Sequence, residues 1–118
     1  LHYEPMQKMK VQVEALRQPN GAPYKLQAIE IPSPLFDENN KRLPGSYVNF
    51  LIVNNSVIVP TFGCAEDAAA LSGLQRCFPG KQMVPVPGGS LIKQYGGPHC
   101  ATMQLPMGTL VPAIDNCG

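Results

Sequence analysis

The stretch Ser46-Tyr47-Val48-Asn49-Phe50-Leu51-Ile52-Val53-Asn54-Asn55-Ser56-Val57-Ile58-Val59-Pro60 decides the fold of this 118-residue chain. β-Branched and aromatic residues fill both halves, and the Asn54-Asn55 pair between them tolerates the left-handed backbone of a tight turn. The stretch therefore predicts a β-hairpin with arms over residues 46–53 and 56–60. Because both arms are almost continuously apolar, we expect both of their faces to be buried.

The residues after the hairpin predict a helix and a third strand. Glu66-Asp67 opens the helix, where carboxylates complement the helix dipole. The apolar positions of one helical face follow at the expected spacing: Ala70, Leu71, Leu74, Cys77 and Phe78. Pro79-Gly80 ends this helix, residues 82–86 read as a short strand, and Pro87-Gly88-Gly89 turns the chain. Residues 46–86 thus predict one ββαβ unit of an α+β protein.

The residues before the hairpin predict a helix, a strand and a loop. Residues 4–18 carry apolar side chains at helical spacing, and the methionines among them are expected to fill a core: Met6, Met9, Val13 and Leu16. Residues 24–28 alternate in polarity, which predicts an irregular strand that the prolines after it end. Residues 32–46 are predicted to form a solvated polar loop, whose acidic side chains could alternatively reach a cationic ligand.

Length and charge limit the function. A chain of 118 residues fits one small domain. Nine Lys and Arg residues against eight Asp and Glu residues, without a basic cluster, make nucleic acid an unexpected partner. No apolar run approaches the ~20 residues of a membrane-spanning helix, so we expect no membrane partner and a cytoplasmic location. Leu1 begins the sequence without a secretory segment before it, which indicates a processed or truncated chain.

The cysteines allow a disulfide scaffold but do not favour one. Cys64, Cys77, Cys100 and Cys117 permit three complete pairings. Their spacing is wide and irregular, and the chain has enough apolar residues to form a core without disulfides. There is no Cys-x-x-Cys element and the two histidines lie far apart in sequence, so no metal site is expected.

Cys100 is the candidate nucleophile. It follows Gly96-Gly97-Pro98-His99. Glycine permits close approach of a ligand to the backbone, and Pro98 disfavours the helical region for Gly97, so a shaped loop is expected to present Cys100. The alternative is a buried structural cysteine, a common state of this residue type.

A nucleophilic thiol needs a base or a positive charge nearby. His99 is adjacent to Cys100, but neighbouring side chains of an extended segment point to opposite faces. We therefore expect His99 to be partly buried and to support the loop rather than to act as the base. His2, next to the terminus, is a weak candidate for that role.

Four segments, in this order, carry a family resemblance: Lys41-Arg42-Leu43-Pro44-Gly45-Ser46-Tyr47-Val48-Asn49-Phe50, Val57-Ile58-Val59-Pro60-Thr61-Phe62-Gly63, Cys77-Phe78-Pro79-Gly80 and Gly96-Gly97-Pro98-His99-Cys100. Together they resemble the C-terminal part of the agmatine deiminase and bacterial peptidyl-arginine deiminase family, over residues 24–106. The resemblance implies a pentein-type α/β propeller, a ring of five ββαβ units around a central pocket. This chain would supply about two units, and residues 1–118 would be the C-terminal portion of a guanidine-modifying hydrolase domain.

The resemblance also implies a reaction. Cys100 matches the family's nucleophile, whose thiolate attacks the guanidinium carbon. Ammonia leaves, and water hydrolyses the thiouronium intermediate to a ureido product, with no metal or organic cofactor. The implied substrate is agmatine, free arginine or peptidyl-arginine, and with agmatine the implied pathway is putrescine biosynthesis. Gly97 is the implied substrate-binding residue, and a homo-oligomer is compatible with the resemblance.

The same resemblance implies that essential groups are missing from this chain. The family's catalytic histidine and most of its guanidinium-binding carboxylates come from upstream segments, so the partner of this chain would be an N-terminal portion of the same fold. A guanidinium in a dry pocket needs carboxylates, which the acid-poor C-terminal third hardly provides. The fragment alone is therefore expected to be inactive. The sequence also departs from the family at Tyr95, Pro98 and Met103, and at Tyr95 the family often has glycine.

Two alternatives from other classes stay open at this stage. One is a non-catalytic interaction module, in which Cys100 is structural and the charge-poor face binds a partner. The other is a secreted disulfide-bonded domain.

Overall fold

A computed structural model describes residues 3–109 as a mixed α+β arrangement. The elements in chain order are α1 (Tyr3–Ala15), β1 (Leu51–Val53), β2 (Ser56–Thr61), α2 (Asp67–Cys77), β3 (Gln82–Pro87) and α3 (Gly89–Ile92). The sheet has the order β1-β2-β3, with β1 antiparallel and β3 parallel to β2. This confirms the predicted ββαβ unit. The described residues contain one such unit, where about two were expected.

The hairpin is shorter than predicted. Its turn is confirmed, because Asn54 adopts the left-handed backbone at φ 48°. The first arm begins only at Leu51, since residues 46–50 form a turn that directs Tyr47 into the interior, where it is 1% exposed. Burial on both faces was also wrong for β1, because Ile52 and Val53 are exposed. Of the three strands described, the central strand β2 alone is largely buried.

The core lies between β2 and α2. Val57 and Val59 of β2 meet Leu74 of α2, and all three side chains are fully buried. Partly buried apolar side chains surround them: Ile29, Phe50, Leu71, Phe78 and Met83. A helix that follows a strand and returns the chain to a parallel strand covers the sheet face, which is why α2 buries its apolar side here.

Tyr47 and Asp67 connect the loop before β1 to the start of α2. The Tyr47 hydroxyl donates to Asp67 Oδ1 at 2.7 Å, and the amide of Gly63 donates to Asp67 Oδ2 at 2.8 Å. Burial alone would raise the pKa of Asp67, but the hydrogen bonds from Tyr47 and from the Phe62 and Gly63 amides outweigh it and lower that pKa. Asp67 therefore stays ionised and holds the two segments together.

The predicted strand at residues 24–28 is not formed. Residues 24–31 are irregular and belong to no sheet. They contact α2 instead: Ile29 packs on the core cluster, and Gln27 Oε1 accepts a hydrogen bond from Arg76 Nε at 3.2 Å. Gly73 of α2 makes this possible, because a Cβ at Gly73 would lie 2.5 Å from Ile29 Cδ1. Contact with a helix replaces the sheet ladder that the alternation predicted.

Helix α1 is confirmed, but its predicted burial is wrong. None of its residues is buried, and Met6 and Met9 are about half exposed. Their face lines an open groove opposite residues 26–29, and nothing else among the described residues covers it. No helix described between residues 3 and 109 combines the length and apolarity needed to cross a membrane.

Residues 32–46 form a loop, as predicted. Phe36 and Arg42 bridge its two sides, and Asp37 Oδ1 accepts hydrogen bonds from the amides of Asn39 and Lys41 at 2.9 and 2.8 Å. This carboxylate therefore closes the turn at the tip of the loop, which is the solvated structure expected there.

Candidate active site

Cys100 lies in a turn, which agrees with the predicted shaped loop but not with the extended backbone assumed in the argument about His99. The amide of Ala101 donates to the Gly97 carbonyl at 3.1 Å, and Thr102 Oγ1 donates to the Pro98 carbonyl at 2.9 Å. We call residues 97–102 the thiol turn. Because the backbone curls here, the strand rule that would place neighbouring side chains on opposite faces does not apply.

Asn49 holds the thiol turn. Its Nδ2 donates to Cys100 Sγ at 3.0 Å, and its Oδ1 accepts from the amides of His99 at 3.0 Å and Cys100 at 3.4 Å. One amide side chain thus contacts both the sulfur and the backbone that carries it. Sequence reasoning missed Asn49 as a site residue. The available signal was a polar residue in the otherwise apolar run from Tyr47 to Val53.

Gly97 is where this arrangement is tightest. It is buried, and a Cβ on it would lie 2.7 Å from Asn49 Cγ and 2.8 Å from Asn49 Oδ1. Any side chain at this position would push Asn49 away from the sulfur. The structure therefore places Gly97 against Asn49, and direct contact of Gly97 with a substrate stays a prediction.

The contacts of Cys100 favour its ionised form. The hydrogen bond from Asn49 and then the one from the Gly97 amide lower the pKa of the Cys100 thiol, although burial opposes them. Hydrogen bonds to a thiolate stabilise its charge, so a larger share of Cys100 is nucleophilic at neutral pH than in an ordinary cysteine.

Cys100 and His99 face different depressions of the surface. Cys100 lines one of about 270 Å³ together with Leu91, Gln94, Tyr95, Gly96 and Ala101. His99 lines another of about 250 Å³ with Ser46, Val48 and Asn49. His99 is exposed, which corrects the prediction that it is partly buried. Among residues 3–109, neither a carboxylate nor an imidazole lines the depression of Cys100.

The cysteines of the described residues are free thiols. Cys64 is partly buried, whereas Cys77 and Cys100 are exposed. Exposure of Cys77 corrects its predicted place on the buried face of α2, and exposure of Cys100 contradicts the buried position of a structural cysteine. Cys117 and His2 lie outside the described residues. Between residues 3 and 109, no three His, Cys, Asp or Glu side chains are grouped as metal ligands would be.

Comparison with known families decides the assignment. The sequence model of the family described as Porphyromonas-type peptidyl-arginine deiminase matches residues 1–106. This chain belongs to that family. It is similar to an agmatine deiminase of Pseudomonas fluorescens, with 39% identity over 111 residues that cover 80% of this chain and 30% of that protein.

Solved structures give the same result. A Porphyromonas gingivalis protein assigned as an arginine deiminase superposes with a TM-score of 0.84 at 41% identity, over 91% of this chain and 31% of that one. Agmatine deiminase of C. jejuni superposes with a TM-score of 0.73 at 32% identity, over 84% of this chain and 29% of that one. This family member therefore spans about three-tenths of the length of these relatives.

Proposed function

We propose that residues 1–118 are the C-terminal portion of a guanidine-modifying hydrolase, in which Cys100 is the nucleophile that deiminates agmatine or an arginine-type substrate. Family membership supports the reaction class. The observation that carries the role of Cys100 is its exposed sulfur, fixed by Asn49 at 3.0 Å beside a depression of the surface. Among the similar structures is a cysteine-to-serine variant of C. jejuni agmatine deiminase with substrate bound.

The proposed reaction replaces one guanidino nitrogen by oxygen. The Cys100 thiolate forms a bond to the guanidinium carbon, and the C–N bond breaks as a proton is delivered and ammonia leaves. Water then adds to the thiouronium carbon, loses its proton to a base, and expels the thiolate to leave a ureido group. The sum is guanidine plus water giving urea plus ammonia, with no electron transferred.

Asn49 and Gly97 have supporting roles in this proposal. Donation from Asn49 Nδ2 stabilises the thiolate before attack and again when the sulfur departs. Acceptance by Asn49 Oδ1 fixes the backbone of the thiol turn, so the sulfur keeps its position through both steps. Gly97 lets Asn49 come this close, which is the contribution of this glycine that the contacts support.

The remaining catalytic groups are proposed to come from other parts of a complete pentein-type propeller. The described part of the chain places in the depression beside Cys100 no histidine to move protons and no carboxylate to pair with a guanidinium. A guanidinium needs such partners when it leaves water. The volume of the depression, about 270 Å³, also falls below the roughly 300–1,000 Å³ usual for ligand sites. We therefore expect the isolated chain of 118 residues to bind and convert guanidines poorly or not at all.

The test compares the natural polypeptide that contains these residues with its Cys100→Ser and Cys77→Ser variants. Ammonia release is measured with agmatine, free arginine and an arginine peptide. We expect turnover of at least one substrate, its loss in Cys100→Ser and its retention in Cys77→Ser, which removes another exposed thiol. A mass increase on Cys100 during turnover would identify the thiouronium. Full activity of Cys100→Ser would refute the proposal and favour a structural or binding role.

A further inference from the structure

Tyr95 forms one wall of the depression that contains Cys100. It lines this depression together with Cys100 and is 54% exposed. Its backbone has φ 61°, in the left-handed region that residues other than glycine rarely adopt. Such a conformation is unfavourable for a residue with a Cβ. The exposed ring therefore stands beside the thiol in spite of the preference of its own backbone.

A positive charge contacts the ring of Tyr95. Lys41 Nζ is 4.7 Å from the centre of the Tyr95 ring, a distance typical of a cation–π contact. Contact with the side chain of Tyr95 raises the pKa of Lys41, so the ammonium is charged at neutral pH. Asp37 in the same loop carries an opposing charge that also acts on Lys41, and its Oδ1 accepts hydrogen bonds from two backbone amides.

The loop that carries Lys41 is fastened to the segment that carries Tyr95. Asp37 closes the tip of the loop by accepting the Lys41 amide at 2.8 Å. Glu38 forms an ion pair with Lys93 at 3.6 Å, two residues before Tyr95. Two separate contacts, Lys41 to Tyr95 and Glu38 to Lys93, thus hold the charge of Lys41 against a side chain that lines the depression.

We infer that Lys41 and Tyr95 form a charge-selective rim that determines which guanidines reach Cys100. The rim disfavours a substrate whose far end carries a second positive charge, as in agmatine, and favours one whose far end carries a carboxylate, as in arginine with a free carboxyl group. The inference rests on the proposed function, because it assumes that the depression beside Cys100 receives the substrate.

The physical reason is the sign of the charge that the substrate meets. All guanidino substrates share the guanidinium cation, so a fixed ammonium penalises that part of each of them equally. The far ends differ: an ammonium is repelled by Lys41 and a carboxylate is attracted. In a site open to water, one charge near the far end of the substrate changes relative rates by a few fold, and salt screens this effect.

The first test measures the charge preference of the Cys100 thiol without any substrate. In the natural polypeptide, Cys100 is alkylated with anionic iodoacetate and neutral iodoacetamide, and the ratio of the two rates is taken by peptide mass spectrometry. The ratio cancels the thiolate fraction, which is common to both reagents. Exposed Cys77 in the same molecule is the internal reference. We expect a ratio for Cys100 about two- to fivefold above that for Cys77 at low salt.

Variants show whether Lys41 is the source of that preference. Lys41→Gln should bring the Cys100 ratio down to that of Cys77. Lys25→Gln is the matched control, since it removes an equal charge from an exposed lysine of the irregular segment 24–31, outside the contacts that hold the rim. It should leave at least half of the preference. An unchanged ratio in Lys41→Gln, or an equal loss in both variants, would overturn the inference.

The second test measures turnover. The ratio of kcat/KM for free arginine to kcat/KM for agmatine should fall about three- to tenfold in Lys41→Gln and stay within about twofold in Lys25→Gln. An unchanged ratio in an active Lys41→Gln enzyme would refute the rim while leaving the proposed function intact. Absence of turnover for every guanidine in the unmodified protein, with no adduct on Cys100, would refute both.

Discussion

The ββαβ unit and the thiol turn are held by different forces. In the unit, Val57, Val59 and Leu74 are removed from water, and the burial of these apolar side chains stabilises the core. In the thiol turn, Cys100 and His99 are exposed, and polar contacts to the single side chain of Asn49 fix the backbone. The comparison teaches that stability and reactivity reside in separate parts of this chain, so mutations should be able to change one without the other.

The largest effect on stability is expected in the core. Leu74→Ala removes a side chain that is 2% exposed and leaves a cavity, so the free energy of unfolding should fall by about 2–4 kcal/mol. Urea denaturation of the natural polypeptide measures this, with exposed Leu16→Ala as the control. In the folded variant the alkylation rate of Cys100 should stay within about twofold of wild type. A large fall in the alkylation rate of Cys100 would show that the core and the thiol turn are not independent.

Asp67 should show the next largest effect, with a dependence on pH. Asp67→Asn weakens the hydrogen bonds from Tyr47 and the Phe62 and Gly63 amides, which should cost about 1.5–3 kcal/mol at pH 7. The folded-state pKa of Asp67 lies below its ordinary value of 3.8. Its contribution is therefore complete above that value and is lost as the pH falls through the folded-state pKa.

Urea denaturation between pH 7 and pH 2 tests this sign. The gap between wild type and Asp67→Asn should be constant from pH 7 to about pH 5 and should close below the ordinary carboxyl pKa. The exposed Glu30→Gln is the control, for which the gap should stay within about 0.5 kcal/mol at every pH. A gap that widens in acid would contradict the role given to the ionised carboxylate.

Gly97→Ala should have the reverse pattern to Leu74→Ala. A Cβ 2.7 Å from Asn49 Cγ displaces the amide from the sulfur, so the pKa of Cys100 should rise. The alkylation rate of Cys100 at pH 7 should fall about three- to tenfold, while the free energy of unfolding should fall less than in Leu74→Ala. Gly80→Ala is the matched control, since nothing lies within 4 Å of its added Cβ. Equal alkylation rates of Cys100 in Gly97→Ala and Gly80→Ala would show that Asn49 does not control the reactivity of the thiol.

The smallest expected effect is at Tyr95. Tyr95→Gly and Tyr95→Ala both remove the ring and differ only in how well they tolerate φ 61°. The free energy of unfolding of Tyr95→Gly should be about 1 kcal/mol higher than that of Tyr95→Ala, so the glycine variant is the more stable. The neighbouring pair Gln94→Gly and Gln94→Ala should not show this order, because Gln94 does not have a positive φ. An equal stability of both Tyr95 variants would mean that the turn relaxes.

Local signals in the sequence predicted the central part of the fold. The Asn54-Asn55 turn, the acidic start of α2 and the Pro79-Gly80 stop act through neighbouring residues, and all three lie where they were expected. Residues 24–28 failed as a strand because alternation describes two faces but not which element covers them. Here Gly73 lets Ile29 pack on a helix instead.

The candidate site was predictable in part for the same reason. The glycine pair and Pro98 correctly predicted a shaped loop before Cys100. The partner of its sulfur is Asn49, 51 positions earlier, and no local pattern indicates that pairing. The rim formed by Lys41 and Tyr95 joins residues that are similarly distant in sequence. Only the folded structure brings these groups together.

The link between Asn49 and Cys100 has a consequence for the chain during its synthesis. The two residues of this contact lie 51 positions apart in the sequence, so the pKa of the sulfur is lowered only when the tertiary structure has formed. A newly made or unfolded chain carries an ordinary thiol, which oxidants and electrophiles attack more slowly than a thiolate. The increased reactivity of Cys100 is thus a property of the folded protein alone.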